Sequence, residues 1–239
     1  QTLEASLGAP LFLRKPRGQE PTALAHQLSD VARRMQTAAL EVQMLADNQE
    51  QSIQGTVRVT ASEVVATYIL PPILHQILQE NPQVQIELVA SNTADNLLMR
   101  EADIAVRMAP PTQDDVIAKK IGDVPVGLFA HKDYLARNGA PQSWDDMMQH
   151  TVVGYDKTPL MIDALTAMGI PASPANFRLR CDDQAAHVEF LRMGLGIVAT
   201  QKGAVRHLDN ITQILPHLPL PPLPMYLAAH KQLRTVPRI

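Results

Sequence analysis

The sequence predicts an α/β protein of two subdomains, preceded by a long helix built to pair with another helix. Three observations carry this reading. Apolar residues recur at a 3.5-residue spacing through residues 22–50, with no proline or glycine among them. At Gln54-Gly55 the character changes to short apolar or alternating runs. Beyond that point strand-like and helix-like segments alternate, which implies βαβ units and a largely parallel sheet.

The elements follow in order. Leu3 and Leu7 lie one helical turn apart, and Gly8 stops that helix. After the apolar piece Leu11-Phe12-Leu13 comes a basic turn, Arg14, Lys15, Pro16, Arg17, closed by Gly18. A bare charge run of this kind is by default a solvated loop. Thr22 can cap the next helix by accepting a bond from a first-turn N–H. Along that helix Leu24, Leu28, Val31, Met35, Ala38, Val42 and Leu45 are spaced four, three, four, three, four, three. Such a stripe suits a helix lying on its own domain or one paired with a second helix. Its narrowness favours the pair, because a helix that caps a core shows a broader apolar face.

Residues 56–61 alternate as a strand. Pro71 and Pro72 open a helix to about Glu80, and Asn81-Pro82 ends it. A strand at 84–89, a helix around 94–101 and a strand at 103–107 complete the first block. A crossover strand at 124–130 leads to a second. That block holds helices near 143–149, 159–168 and 184–193, and strands near 151–155, 177–181 and 197–200. Gly194 and Gly196 stop its last helix. Tail strands near 211–215 and 225–229 flank a proline-rich stretch, with the second crossing near 218–226 and the last strand returning to the first subdomain.

Composition narrows the function. The 239 residues are 46% hydrophobic, 19% charged and only 4% aromatic, so the core rests on aliphatic residues and methionine. A net charge of −3 gives no global basic field, so any nucleic-acid contact must come from a local patch. One cysteine, Cys181, excludes an intrachain disulfide and fits a reducing compartment, hence the cytoplasm. No apolar run is long enough for a membrane span, and the N-terminus does not read as a secretory signal. It reads as a fragment of a longer chain.

Catalytic motifs are absent: no GxSxG, P-loop, HExxH or CxxC occurs. Gly194-x-Gly196 follows a helix, the wrong order for dinucleotide binding. The histidines show no i, i+4 pair, so no metal or other cofactor is expected. The polar residues at strand ends are the candidates instead, because ligands of open α/β sheets bind beyond the carboxyl ends of strands. They are Ser62, Ser91, Asn92, Thr93, Arg107, His131, Tyr155, Asp182 and Asp183. Polar loops of two subdomains facing one cleft could close on a small molecule. Arg107, His131 and Lys157 would suit an anion; Asp182 and Asp183 would suit a cation or a polyol.

The segment LEASLGAPLFLRKPRG with Thr22 and the heptad helix resembles the end of the winged helix-turn-helix of LysR-type transcription regulators. Leu3, Glu4, Leu7, Gly8, Leu11, Phe12, Arg14, Arg17, Gly18 and Thr22 match in order. GTVRVTA at 55–61, LPPILHQILQENPQVQIELV at 70–89, ADIAVR at 102–107, HKDYLARNGAP at 131–141 and FLRMGLGIVA at 190–199 resemble the family's effector domain, whose fold is that of periplasmic binding proteins. The resemblance implies a remnant of the winged domain at 1–21, a linker and dimerisation helix at 22–54, and an effector domain at 55–239. Its first subdomain would comprise 55–128 and 224–239, its second 129–223.

The resemblance also implies a non-enzymatic regulator of promoters. Arg14, Lys15 and Arg17 would touch double-stranded DNA, and Leu24, Leu28, Val31, Met35, Val42 and Leu45 would join two copies, further assembled into a homotetramer. A small-molecule effector would bind between the subdomains. Residues 1–34 hold five Lys/Arg against three Asp/Glu, a modest basic excess. The alternative is a periplasmic-type solute-binding protein, opposed by the absent signal peptide, the lone cysteine and the heptad helix.

Overall fold

The computed structural model describes residues 2–15, 18–29, 31, 32, 35, 38, 53–92, 102–111, 116–218, 220–231, 233, 236 and 239. Gln1–Ser52 and Ile53–Ile239 form separate compact units. Arg17, Val42, Leu45, Thr93 and the helix expected at 94–101 lie outside the described residues.

In the first unit helix α1 (Thr2–Leu7) ends at Gly8, whose φ of +66° suits glycine. The Glu4 carboxylate accepts the N–H groups of Leu11 at 2.7 Å and Phe12 at 3.2 Å, so α1 fixes the entry to a hairpin. Strands β1 (Phe12–Lys15) and β2 (Gly18–Pro21) pair antiparallel, Phe12 opposite Pro21 and Lys15 opposite Gly18. Thr22 caps the next helix as expected. Its hydroxyl accepts from the Ala25 N–H and donates to the Pro10 carbonyl, both at 3.1 Å. This helix, α2, covers residues 23–29, and residues 31, 32, 35 and 38 are helical too.

The second unit has two lobes. The first lobe is a five-stranded sheet in the order β4-β3-β5-β12-β6. Its strands are β3 (Gly55–Ala61), β4 (Val84–Ala90), β5 (Ile104–Arg107), β6 (Val116–Val124) and β12 (Leu223–His230). Strands β4 and β5 run parallel to β3, while β12 is antiparallel to both β5 and β6. Helix α3 (Leu70–Glu80) returns the chain from β3 to β4. Residues Val65–Ile69 before it wind as a π-helical turn. Pro71 and Pro72 lack N–H donors and crowd the preceding carbonyls, and the wider turn accommodates them.

The second lobe is built on β7 (Val126–His131), flanked antiparallel by β10 (Val198–Gln201) and β11 (Ile211–Ile214). Strands β8 (Val153–Gly154) and β9 (Leu179–Arg180) pair parallel, and a Val152–Ile197 bridge joins them to β10. Helices α4 (Lys132–Asn138), α5 (Trp144–Met147), α6 (Leu160–Ala167), α7 (Gln184–Arg192) and α8 (Lys202–Val205) cover this sheet. Both faces are buried. Leu128 and Ala130 join the cluster of Tyr134, Met147, Leu165 and Phe177, while Phe129 points the other way onto Val153, Leu191 and Val205.

Two expectations need correction. The crossover strand expected at 124–130 is two strands broken at Pro125, the first being the unforeseen β6 in the first sheet. The sheets are also mixed rather than largely parallel. β7 enters the second lobe directly from β6, with no crossover helix to turn it, and β12 enters the first lobe from the opposite direction to β3 and β5.

Gly196 marks the tightest backbone approach: a Cβ there would lie 2.3 Å from the Thr151 carbonyl oxygen. That oxygen accepts the Ile197 N–H at 2.8 Å and cannot move without loosening the bridge to β10. Gly196→Ala is expected to lower stability by about 1–3 kcal/mol, measured by urea unfolding. Gly122→Ala, with open space around its Cβ position, should cost far less.

Candidate ligand-binding site

Because β3, β4 and β5 are parallel, their carboxyl ends share one edge and bring Ser62, Ser91, Asn92 and Arg107 together. Arg107 ties the three strand ends. Its Nη1 donates to the Ser91 carbonyl at 2.7 Å and its Nη2 to Thr60 Oγ1 at 2.8 Å. Thr60, fully buried, in turn donates to the Val89 carbonyl at 3.2 Å. Asn92 makes a reciprocal pair with Glu63, accepting its N–H at 3.1 Å and donating to its carboxylate at 2.7 Å. The buried Ser62 Oγ has no hydrogen-bond partner among the described residues.

The second lobe contributes the ends of β8, β9 and β10, which run in one direction. Tyr155 follows β8, Asp182 and Asp183 follow β9, and Gln201 ends β10. Asp182 Oδ1 accepts three successive N–H groups, of Asp156 at 3.0 Å and of Lys157 and Thr158 at 3.1 Å. Asp183 caps α7, accepting from Ala185 at 2.8 Å and Ala186 at 3.1 Å. Within α7, His187 is 2% exposed, and its Nε2 lies 2.6 Å from the Cys181 carbonyl. The Tyr155 ring leans on it at a centroid distance of 5.0 Å. The lobes meet beside this edge. Val64 of the first lobe shares a buried cluster with Val188 and Ala204 of the second, and the Tyr68 hydroxyl lies 3.4 Å from the Ala185 carbonyl.

A family model described as the LysR substrate binding domain matches residues 50–239. The chain belongs to the LysR family. YhjC of Escherichia coli (strain K12), an HTH-type transcriptional regulator by name, is 26% identical over 234 residues, covering 95% of this chain and 78% of YhjC. The HTH-type regulator CrgA of Neisseria meningitidis serogroup C (strain 8013) is 30% identical over 155 residues, 64% of this chain. That sequence match takes in about half the length of CrgA, 51%. Among solved structures, full-length AphB of Vibrio cholerae matches with a TM-score of 0.70 at 22% identity, covering 100% of this chain and 83% of AphB. CrgA of N. meningitidis gives 0.68 at 21% identity, covering 99% and 82%. The mixed α/β fold is therefore that of the LysR regulatory domain, of the periplasmic-binding-protein kind. The family is one of transcriptional regulators.

The LysR domain gathers most of the candidates expected from sequence along two facing edges. Ser62, Ser91, Asn92 and Arg107 stand on one, and Tyr155, Asp182 and Asp183 on the other. His131 stands elsewhere. Gln201 pairs with Val126 at the start of β7, so β7 runs away from the edge and its carboxyl end lies at the far end of the sheet. There the His131 ring accepts the Asp133 N–H at 3.2 Å and caps α4, itself an unforeseen helix. Thr60 and Gln201 were not legible as edge residues. The one available signal was a polar residue within an apolar strand run.

Burial and neighbours set the charges of this LysR domain. Burial, then the negative Asp183, raises the Glu63 carboxyl above the ordinary value, while the bond from Asn92 opposes this. The Thr158, Lys157 and Asp156 N–H groups lower Asp182. Burial lowers His187 from the ordinary 6.5, more than its bond to Cys181 and the nearby Asp183 and Asp182 raise it. It pushes Tyr155 up, so Tyr155 and His187 are both neutral near pH 7. For His187 the unfolded chain binds the proton first. Its contribution to stability is complete above pH 6.5 and is lost as pH falls below that value. Urea midpoints should fall between pH 7.5 and pH 5.5 with a slope from this group of at most about 1.4 kcal/mol per pH unit, and His187→Gln should remove that component.

Proposed function

We propose that this chain is the linker and effector-sensing part of a DNA-binding transcription regulator that responds to a small molecule. The observation that carries the reading is the two-lobed LysR domain preceded, in the same chain, by a basic hairpin and a run of heptad-spaced apolar residues. Residues 1–21 are read as the end of a winged helix-turn-helix, 22–54 as linker and dimerisation helix, and 55–239 as the effector domain. Seam residues of the single chain are open to solvent: Val31 is 43% exposed and Met35 70%. A second helix laid along them would bury that apolar surface, which supports a homodimer. We propose that such dimers pair further into a homotetramer. The reading makes the protein cytoplasmic and not an enzyme.

In this scheme the hairpin lies against promoter DNA. Arg14 and Lys15 are exposed, and Lys15 forms an ion pair with Glu20 across the hairpin, so Arg14 carries the less compensated charge. The effector lies between the lobe edges. Ser62 Oγ has no partner among the described residues, and Asn92, Arg107, Tyr155, Asp182 and Asp183 shape the polar surroundings. An effector that favours one lobe angle over another shifts the population of that state and with it the spacing of the DNA-binding heads.

Footprinting with the regulator at low salt tests the DNA-binding reading. Arg14→Ala should reduce the slope of log affinity against log salt by about 0.9, uniformly across sequences, and Lys15→Ala by less. No footprint at low salt would remove the reading. For sensing, a metabolite at about a hundred times its dissociation constant should stabilise the chain by about 2.7 kcal/mol. Ser62→Ala should weaken that metabolite while leaving the unliganded unfolding curve close to that of the parent.

A further inference from the structure

We infer that the second lobe carries a binding site of its own for a neutral, mainly apolar small molecule, set in a cavity behind the ends of β8 and β10. The cavity has a volume of about 220 Å³. An engineered cavity of about 150 Å³ lined by aliphatic and aromatic side chains takes up benzene. This one has room for a substituted ring system or a medium-length chain. Among the described residues its lining includes Leu223 at the start of β12 but none of the first-lobe candidates Ser62, Ser91, Asn92 and Arg107. Tyr155 and Gln201 stand both in this lining and on the second-lobe edge, so the cavity adjoins the cleft proposed above from its second-lobe side.

The lining has two ends of different chemistry. One is apolar and rich in methionine, with Met147, Met148, Met161 and Met168 beside Leu165 and Phe177. Unbranched, polarisable methionine side chains re-pack around differently shaped guests. The other end is polar and uncharged, formed by Tyr155, Gln184, His187, Thr200 and Gln201. Two buried polar atoms in the lining have no partner among the described residues: the acceptor Gln201 Oε1, on a side chain 4% exposed, and the donor Trp144 Nε1. Groups like these are satisfied by hydrogen-bonding partners in most structures, and together with the polar end of the lining they favour a guest that brings its own donor and acceptor. A hydroxyl or primary amide supplies both.

Charge decides the class further. Among the described residues no Lys, Arg, Asp or Glu lines the cavity. Asp182 and Asp183 stand near His187, with the Asp182 oxygens committed to backbone N–H groups and Asp183 to the start of α7. A carboxylate guest would lose its hydration without gaining a cation and would sit in a negative field. A neutral head group escapes both penalties.

Pyrene, which forms no hydrogen bonds, and three eight-carbon competitors test the site on the full chain. Pyrene emission should shift toward its apolar form with saturable one-site binding. Octanamide should displace it at least about tenfold more tightly than octanoate. Ala164→Trp, which fills the apolar end, should abolish pyrene binding while the circular dichroism spectrum and thermal midpoint remain native. Gln201→Leu should weaken octanamide about five- to tenfold and leave pyrene within about twofold, and 1-octanol should follow octanamide. Should Ala164→Trp fail to fold, the Gln201→Leu split still decides. The inference is overturned by non-saturable pyrene binding, by undiminished binding to a folded Ala164→Trp, by octanoate displacing as well as octanamide, or by Gln201→Leu weakening pyrene and octanamide alike.

Discussion

The chain crosses between its lobes on strands and without a helix, and this constraint sets nearly everything else. A helix can turn a chain round so that the next strand runs parallel; a direct strand-to-strand passage cannot. The chain leaves the first lobe through β6, passes Pro125 and begins β7 at once, so β7 starts at the inter-lobe edge and points away from it. β12 returns and lies between β5 and β6, antiparallel to each. The strand ends that remain at the edge are those of β3, β4 and β5 on one side and β8, β9 and β10 on the other. The candidate site lies where these two sets of ends face one another.

The same constraint explains what was legible in the sequence. Segments governed by local chemistry were: the Thr22 cap, the stop at Gly8, the run to Ala61, and α3 between Pro71 and Asn81. Long-range pairing was not. β6 reads as polar because it is the exposed outer strand beside β12, with Lys119, Lys120 and Asp123 toward solvent, and an outer strand of that kind is protected by charge. His131 was misplaced because a strand end is polar at either pole of a sheet, and only the direction of β7 tells which pole it occupies. Ser62, Asn92 and Arg107 stand at the expected pole because they end or follow parallel strands, for which the rule about carboxyl ends holds.

At the edge itself most polar side chains already have work. Arg107 binds three strand ends together, Asp182 holds the loop at 156–158, Asp183 starts α7, and Asn92 closes on Glu63. A satisfied group can still touch a ligand, yet it surrenders a bond in doing so. In the proposed sensing role discrimination would fall on groups with spare capacity, and Ser62 Oγ, without a partner among the described residues, is such a group. The contrast with the methionine-lined interior of the second lobe is chemical: one wall offers fixed polar geometry, the other adaptable volume.

The apolar contact of Val64 with Val188 and Ala204 has a mechanical consequence. These side chains are at most 3% exposed, so separating them would wet a dry surface, whereas rolling one lobe over the other keeps it dry. The contact acts as a fulcrum. A ligand that changes the lobe angle slightly close to this point displaces the distal ends of both sheets by much more, in proportion to their distance from it.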